Sequence, residues 1–115
     1  MRFPTILSRV EDGDTRVFEL DISDELIWFR GHFPGFPVLP GVVQLQWAVQ
    51  LTEENFGLRE GPHEILRLKF KSIIVPPVTV ELTLSQLGPC EARFEYTGQG
   101  QTYSQGRLRF TERAQ

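Results

Sequence analysis

The chain has 115 residues, with 40% hydrophobic and 23% charged residues and a formal net charge of -3. That length suits one domain, read as residues 1–115, and is too short for two. The slightly acidic balance argues against nucleic acid as the main partner, which calls for a basic surplus, and the supply of aromatic and β-branched residues excludes global disorder.

Taken in chain order, Thr5–Val10 and Thr15–Ile22 are rich in β-formers and flank Glu11-Asp12-Gly13-Asp14. Asp-Gly there signals a tight turn, so the two segments read as a hairpin. Asp24–Phe29 is short and amphipathic, enough for one helical turn. Gly31–Gly41, GHFPGFPVLPG, holds three prolines and three glycines. Missing backbone donors and freed dihedrals make it a shaped loop.

The loop leads into the one long helix, with Pro40 in its first turn and Gly57 as its C-terminal cap. Between them Val42, Val43, Leu45, Trp47, Ala48, Val49 and Leu51 occupy nearly every face. Such a helix is expected to be covered on most sides, with only Glu53, Glu54 and Asn55 wet. The remainder reads as strands. Ile65–Val75 sets Ile65, Leu66, Leu68 and Phe70 against Arg67, Lys69 and Lys71, and Pro76-Pro77 ends it. Val78–Leu87, Glu91–Thr97 and Gln101–Thr111 follow, separated by turns at Gly88-Pro89 and Gly98–Gly100. A hairpin, a nearly all-apolar helix and three or four antiparallel strands make an α+β domain whose sheet wraps the helix.

The run His32-Phe33-Pro34-Gly35-Phe36-Pro37-Val38-Leu39-Pro40-Gly41-Val42 is long and specific. It resembles the active-site motif of the 3-hydroxyacyl-acyl-carrier-protein dehydratases of fatty-acid synthesis, the FabA/FabZ type. Leu68–Pro76, LKFKSIIVP, is similar to that family's strand ending in a proline turn, although the family's Pro-Gly-Asp is Pro76-Pro77-Val78 here. The continuation Gln44-Leu45-Gln46-Trp47-Ala48 looks closer to the dehydratase-like proteins of aryl polyene pathways. The resemblance covers most of the chain. It implies a hotdog fold, an antiparallel sheet around one long central helix, with two subunits joined sheet to sheet and the active site at their interface.

Residue by residue, the resemblance makes His32 the base on the proton α to the thioester carbonyl, a task that suits a neutral imidazole near pH 7. It makes the Gly41 N–H the donor to the thioester oxygen, aided by the helix dipole. Position 46 matches the family's acid, which protonates the departing hydroxyl, yet this chain has Gln46. An amide has no proton to release; it can hold a water or a hydroxyl by hydrogen bonds. Glu53 and Glu54 lie seven and eight residues later, about 10 Å or more along the helix, too far to substitute. For Gln46 the bland alternative is a polar helix residue satisfied by the backbone of the loop.

Phe33, Phe36, Val42 and Trp47 are candidate acyl-pocket residues, as is Trp28; core packing is the plainer reading of the aromatics. Arg30, Arg67, Lys69 and Lys71 are candidate contacts for an acidic carrier protein or its phosphopantetheine phosphate. A solvated strand face is the plainer reading of the last three. His63 reads as a surface-loop residue, and Cys90 carries no assigned chemistry. No cofactor and no metal are expected, since the substrate rides on the phosphopantetheine arm of an acyl carrier protein or on CoA.

The first function reading is a 3-hydroxyacyl-thioester dehydratase, impaired at its acid step. The second is a non-catalytic or half-site subunit of a heterodimer, in which His32 faces a homologue's acid. A thioesterase and an acyl-binding module stay open behind these. The partners expected are an acyl carrier protein and a second hotdog chain, identical or homologous, in a dimer or a higher oligomer. No run of about 18 apolar residues occurs, so no membrane span is expected. Met1–Thr5 starts no signal peptide, and the lone Cys90 fits a reducing compartment; the expected location is the cytoplasm.

Overall fold

The computed structural model describes residues 3–23 and 38–111. The expected turn at Asp24–Phe29 and most of the Gly31–Gly41 loop lie outside these residues. The described chain forms β1 (Thr5–Asp12), β2 (Thr15–Ile22), α1 (Gly41–Phe56), β3 (Pro62–Phe70), β4 (Val78–Gly88), β5 (Glu91–Gly98) and β6 (Gln101–Phe110). The strands make one antiparallel sheet in the order β1-β2-β4-β5-β6-β3. The segment containing α1 carries the chain from β2 to the far edge, where β3 pairs with β6. One sheet against one long helix is the hotdog arrangement.

The β1–β2 hairpin turns one residue later than Asp-Gly predicts. Asp12 pairs with Thr15, so the central residues are Gly13 and Asp14, with Gly13 at φ 59. Glycine with positive φ at the first central position is the type II′ pattern, whose twist matches the strands it joins.

The sheet's inner face follows the strand period of two. Phe18, Leu20 and Ile22 of β2, Val80, Leu82 and Leu84 of β4, Phe94 and Tyr96 of β5, and Leu108 and Phe110 of β6 are buried together. Against them α1 lays Val43, Gln44, Trp47, Ala48, Leu51 and Thr52, all buried. That set repeats every four residues in two adjacent rows, one stripe of the helix. Gly57 ends the helix in the left-handed region at φ 68, a conformation that favours glycine. The hairpin grips this end: Arg9 donates to Asn55 Oδ1 at 2.7 Å, and the Arg16 guanidinium lies 5.1 Å from the Phe56 ring centroid.

The helix is not covered on most sides: Val42 is 62% exposed, Gln46 and Gln50 are exposed, and Leu45 and Val49 are half-buried. A single sheet hides one stripe, and nothing among the described residues covers the opposite side. Pro40 sits at the N-cap rather than inside the first turn. His63 belongs to β3, not to a loop.

Strand β3 ends at Phe70 rather than Val75 and is phased differently from its sequence alternation. Ile65 faces Leu108 and Phe70 faces Ser104, both on the helix side, while Leu66 faces Arg107 and Lys69 faces Gln105 on the other. A bulge between Leu66 and Lys69, with Arg67 at φ 52, shifts the phase.

Gly106 lies opposite Phe94, and a Cβ there would sit 2.8 Å from Phe94 Cε2 and 3.3 Å from Leu68 Cδ1. Overpacking at this buried spot predicts that Gly106→Ala lowers unfolding free energy by about 1–3 kcal/mol. Urea denaturation measures it, and adding Phe94→Leu should recover part of the loss.

Candidate functional site

The helix start is built by backbone. Leu39 N–H donates to the Ile74 carbonyl at 2.8 Å, which seats the incoming chain on the segment after β3. The Pro40 carbonyl accepts from Val43 N–H at 3.1 Å and Gln44 N–H at 3.2 Å. The N–H groups of Gly41 and Val42 have no acceptor within the helix, as at every helix start. No acidic side chain lies in the first turn to compete for them. With the aligned peptide dipoles such a helix start favours negative charge. Gly41 also has no room for a side chain, since a Cβ would lie 2.8 Å from the Phe70 ring.

One turn in, Gln44 is buried and fully engaged. Its Nε2 donates to the Leu39 carbonyl at 3.1 Å, and its Oε1 accepts from Ser104 Oγ at 2.7 Å. Its own carbonyl accepts from the Tyr96 hydroxyl at 2.7 Å. Burial pushes the Tyr96 phenol well above its ordinary value of 10, so it remains a neutral donor. This network ties loop, helix, β5 and β6 together where the site begins.

Gln46 lies on the other side of the helix. It lines a groove of about 520 Å³ with Leu45, Val49, Gln50 and Glu53 of α1 and Pro62 and Ile65 of β3. The amide satisfied by the loop backbone is therefore Gln44, not Gln46. The helix carboxylates are engaged elsewhere: Glu53 Oε2 accepts from Gly61 N–H at 2.6 Å, and Glu54 accepts from Gln50 Nε2 at 3.4 Å.

His32, Phe33, Phe36, Arg30 and Trp28 lie outside the described residues. Gly41 and Gln46 share α1, five residues or about 7.5 Å apart along its axis. Val42 is open at the helix start, whereas Trp47 is 1% exposed and packed edge-on against Phe3 at 5.7 Å. Arg67, Lys69 and Lys71 are exposed, but the bulge at Arg67 prevents the single row their spacing predicts. Among the described residues no group of three or more His, Cys, Asp or Glu is placed to hold a metal. Sequence reasoning passed over Gln44, Tyr96 and Ser104. Gln44 had a signal, a polar residue on the same helical stripe as Ala48 and Leu51.

A family model described as ApeI-like, ApeI dehydratase, matches residues 8–107. A 3-hydroxyacyl-(acyl-carrier-protein) dehydratase FabZ of Pelotomaculum thermopropionicum is 39% identical over 75% of this chain and 71% of its own. The dehydratase of the same name from Ruminiclostridium cellulolyticum is 27% identical over 95% of this chain and 87% of its own. Among solved structures, a chain of the dehydratase heterocomplex ApeI:P from Xenorhabdus doucetiae superposes with a TM-score of 0.87 at 27% identity, covering 96% of this chain and all of that one.

Removing the Gln44 amide orphans the Leu39 carbonyl and the Ser104 hydroxyl, so Gln44→Leu should destabilise by about 1–3 kcal/mol. In a urea double-mutant cycle with Ser104→Ala the two losses should fall short of additive. Tyr96 sets an alkaline limit. Its folded value is raised, so its contribution is complete below pH 10 and is lost as pH climbs toward the folded value, because the unfolded phenol ionises first. Melting curves above pH 10 should fall more steeply for the native chain than for Tyr96→Phe.

Proposed function

This chain belongs to the ApeI-like dehydratases, and from that membership we propose that it acts on 3-hydroxyacyl thioesters carried on the phosphopantetheine arm of an acyl carrier protein, or on CoA, in the cytoplasm. The observation that carries the reading is the helix start at Gly41. There the first-turn amides of Gly41 and Val42 have no acceptor within the helix, beside the open side chain of Val42.

In this reading the thioester oxygen sits at the Gly41 N–H. His32 takes the C2 proton, the C2=C3 double bond forms as negative charge passes through the enolate, and the C3–O bond breaks. The leaving hydroxyl needs a proton to depart as water. Gln46 can hold that hydroxyl but cannot protonate it. A positioned acid is worth about 10²–10⁴ in rate, so a site relying on Gln46 and solvent is slow.

A second reading is favoured by the same residue. Glu53 is held by the Gly61 N–H, and Glu54 lies eight residues or about 12 Å along the helix from Gln46, so among the described residues no carboxylate of α1 replaces the missing acid. The similar ApeI:P chain comes from a heterocomplex. Paired with an acid-bearing homologue, this chain would contribute His32 to one competent site, while the site containing Gln46 would be idle.

The test is turnover of a 3-hydroxyacyl thioester on carrier protein, followed by enoyl absorbance. Gln46→Glu should raise the rate of the purified chain by about 10²-fold or more, and His32→Ala should abolish it in both backgrounds. Equal rates with and without the introduced acid would show that the acid step does not limit. Silence of the native chain and of Gln46→Glu, alone and with an acid-bearing homologue, would remove the dehydratase reading.

A further inference from the structure

β3 pairs with β6 on one side, and its other edge is open among the described residues. An open edge exposes a row of backbone donors and acceptors ready to pair with another strand. Here the edge also carries exposed apolar side chains. Ile65, Leu68 and Phe70 of β3 are 40%, 38% and 50% exposed, and Ile73 and Val75 just beyond are exposed as well. Phe70 lies against Gly41, so this patch runs on to the helix start and Val42. A chain seated on the β3 edge therefore reaches the site.

The same edge is strongly cationic. Arg67, Lys69 and Lys71 are all exposed, and among the described residues none is paired with a carboxylate. The one acid in β3, Glu64, is held by Arg109 at 2.8 Å. Two-fold pairing of β3 with a second copy is self-complementary in shape but not in charge. With the two-fold axis at Leu68 or Lys69, within the exposed apolar stretch, it sets cation against cation across the seam, and like charges across paired strands repel. A carboxylate-bearing strand on the same edge meets them with opposite charge.

We propose that the β3 edge selects its occupant by charge, taking a homologous hotdog chain whose edge strand carries carboxylates in preference to a second copy of this chain. The inference rests on the two-chain site of the preceding section and names the partner's chemistry. Apolar contact supplies the affinity, and the cations supply discrimination.

The double variant Lys69→Glu/Lys71→Glu is a version of this chain with an acidic edge. Arg67 is kept, because its φ of 52 belongs to the bulge. Native mass spectrometry of an equimolar mixture with the unaltered chain counts mixed and self dimers, and random exchange leaves about half of them mixed. The expected result is roughly nine-tenths mixed at low salt, falling to about half near 1 M salt, where screening acts over about 3 Å. The neutral variant Lys69→Gln/Lys71→Gln should self-associate about tenfold more tightly than the unaltered chain at low salt.

A mixed fraction near one half at every salt concentration overturns the proposal. So does a mixture that stays monomeric while circular dichroism shows the variants folded. A random mixture accompanied by lost carrier-protein binding assigns the three cations to carrier docking instead and overturns it too. Dimer composition is read without turnover, so an inactive protein that still shows the mixed excess separates this proposal from the dehydratase reading.

Discussion

A primary amide buried beneath a sheet must find partners for both its donor and its acceptor, or the helix carrying it will not pack there. Gln44 meets that demand through Leu39 on one side and Ser104 on the other, while Tyr96 adds a bond to its carbonyl. The rotation and depth of the first turns of α1 follow from those contacts. With Gln44 pointed at the sheet, Gln46, two residues or about 200° onward, must point away from it. The satisfied amide thus determines that Gln46 looks outward, toward the groove it shares with Ile65 and Pro62.

The same geometry leaves the domain unfinished on connected surfaces. One sheet covers one stripe of α1, so Leu45, Val49 and Val42 keep part or most of their surface in water. Beside them the β3 edge leaves Ile65, Leu68 and Phe70 exposed. Exposed apolar surface that runs continuously from a strand edge to a helix start is the kind that a second chain covers. At the opposite edge, all eight residues of β1 are exposed, yet Arg9 and Arg16 fasten that hairpin to the end of the helix.

In the proposed dehydration the two halves of the site are unequal. Stabilisation of the enolate needs only backbone N–H groups and a dipole, which any helix start can offer provided nothing crowds it. Gly41 and the ring of Phe70 show how closely that space is tailored. Proton delivery to the leaving group needs a particular side chain, and Gln46 lacks the proton. A fold can therefore keep the oxyanion half of a dehydratase while its acid half depends on solvent or on another chain.

By itself, the sequence determined the elements and the family. Period-two alternation in Val78–Leu87 and Glu91–Thr97 and the Pro40 and Gly57 punctuation are local signals, and the His32–Val42 run is dense enough to carry a resemblance alone. The strand before Pro76 was misphased, because a bulge leaves no reliable local mark and Arg67 does not announce a left-handed dihedral. The helix read as apolar all round because counting apolar residues does not say which side a sheet will take. Only the tertiary structure decided that Gln44 is the locked amide and Gln46 the open one, since two glutamines on one helix differ only in what lies opposite them. It also decided that three cations sit on a free edge rather than on a covered strand, because edges are created by strand order, which pairing across distant parts of the chain establishes.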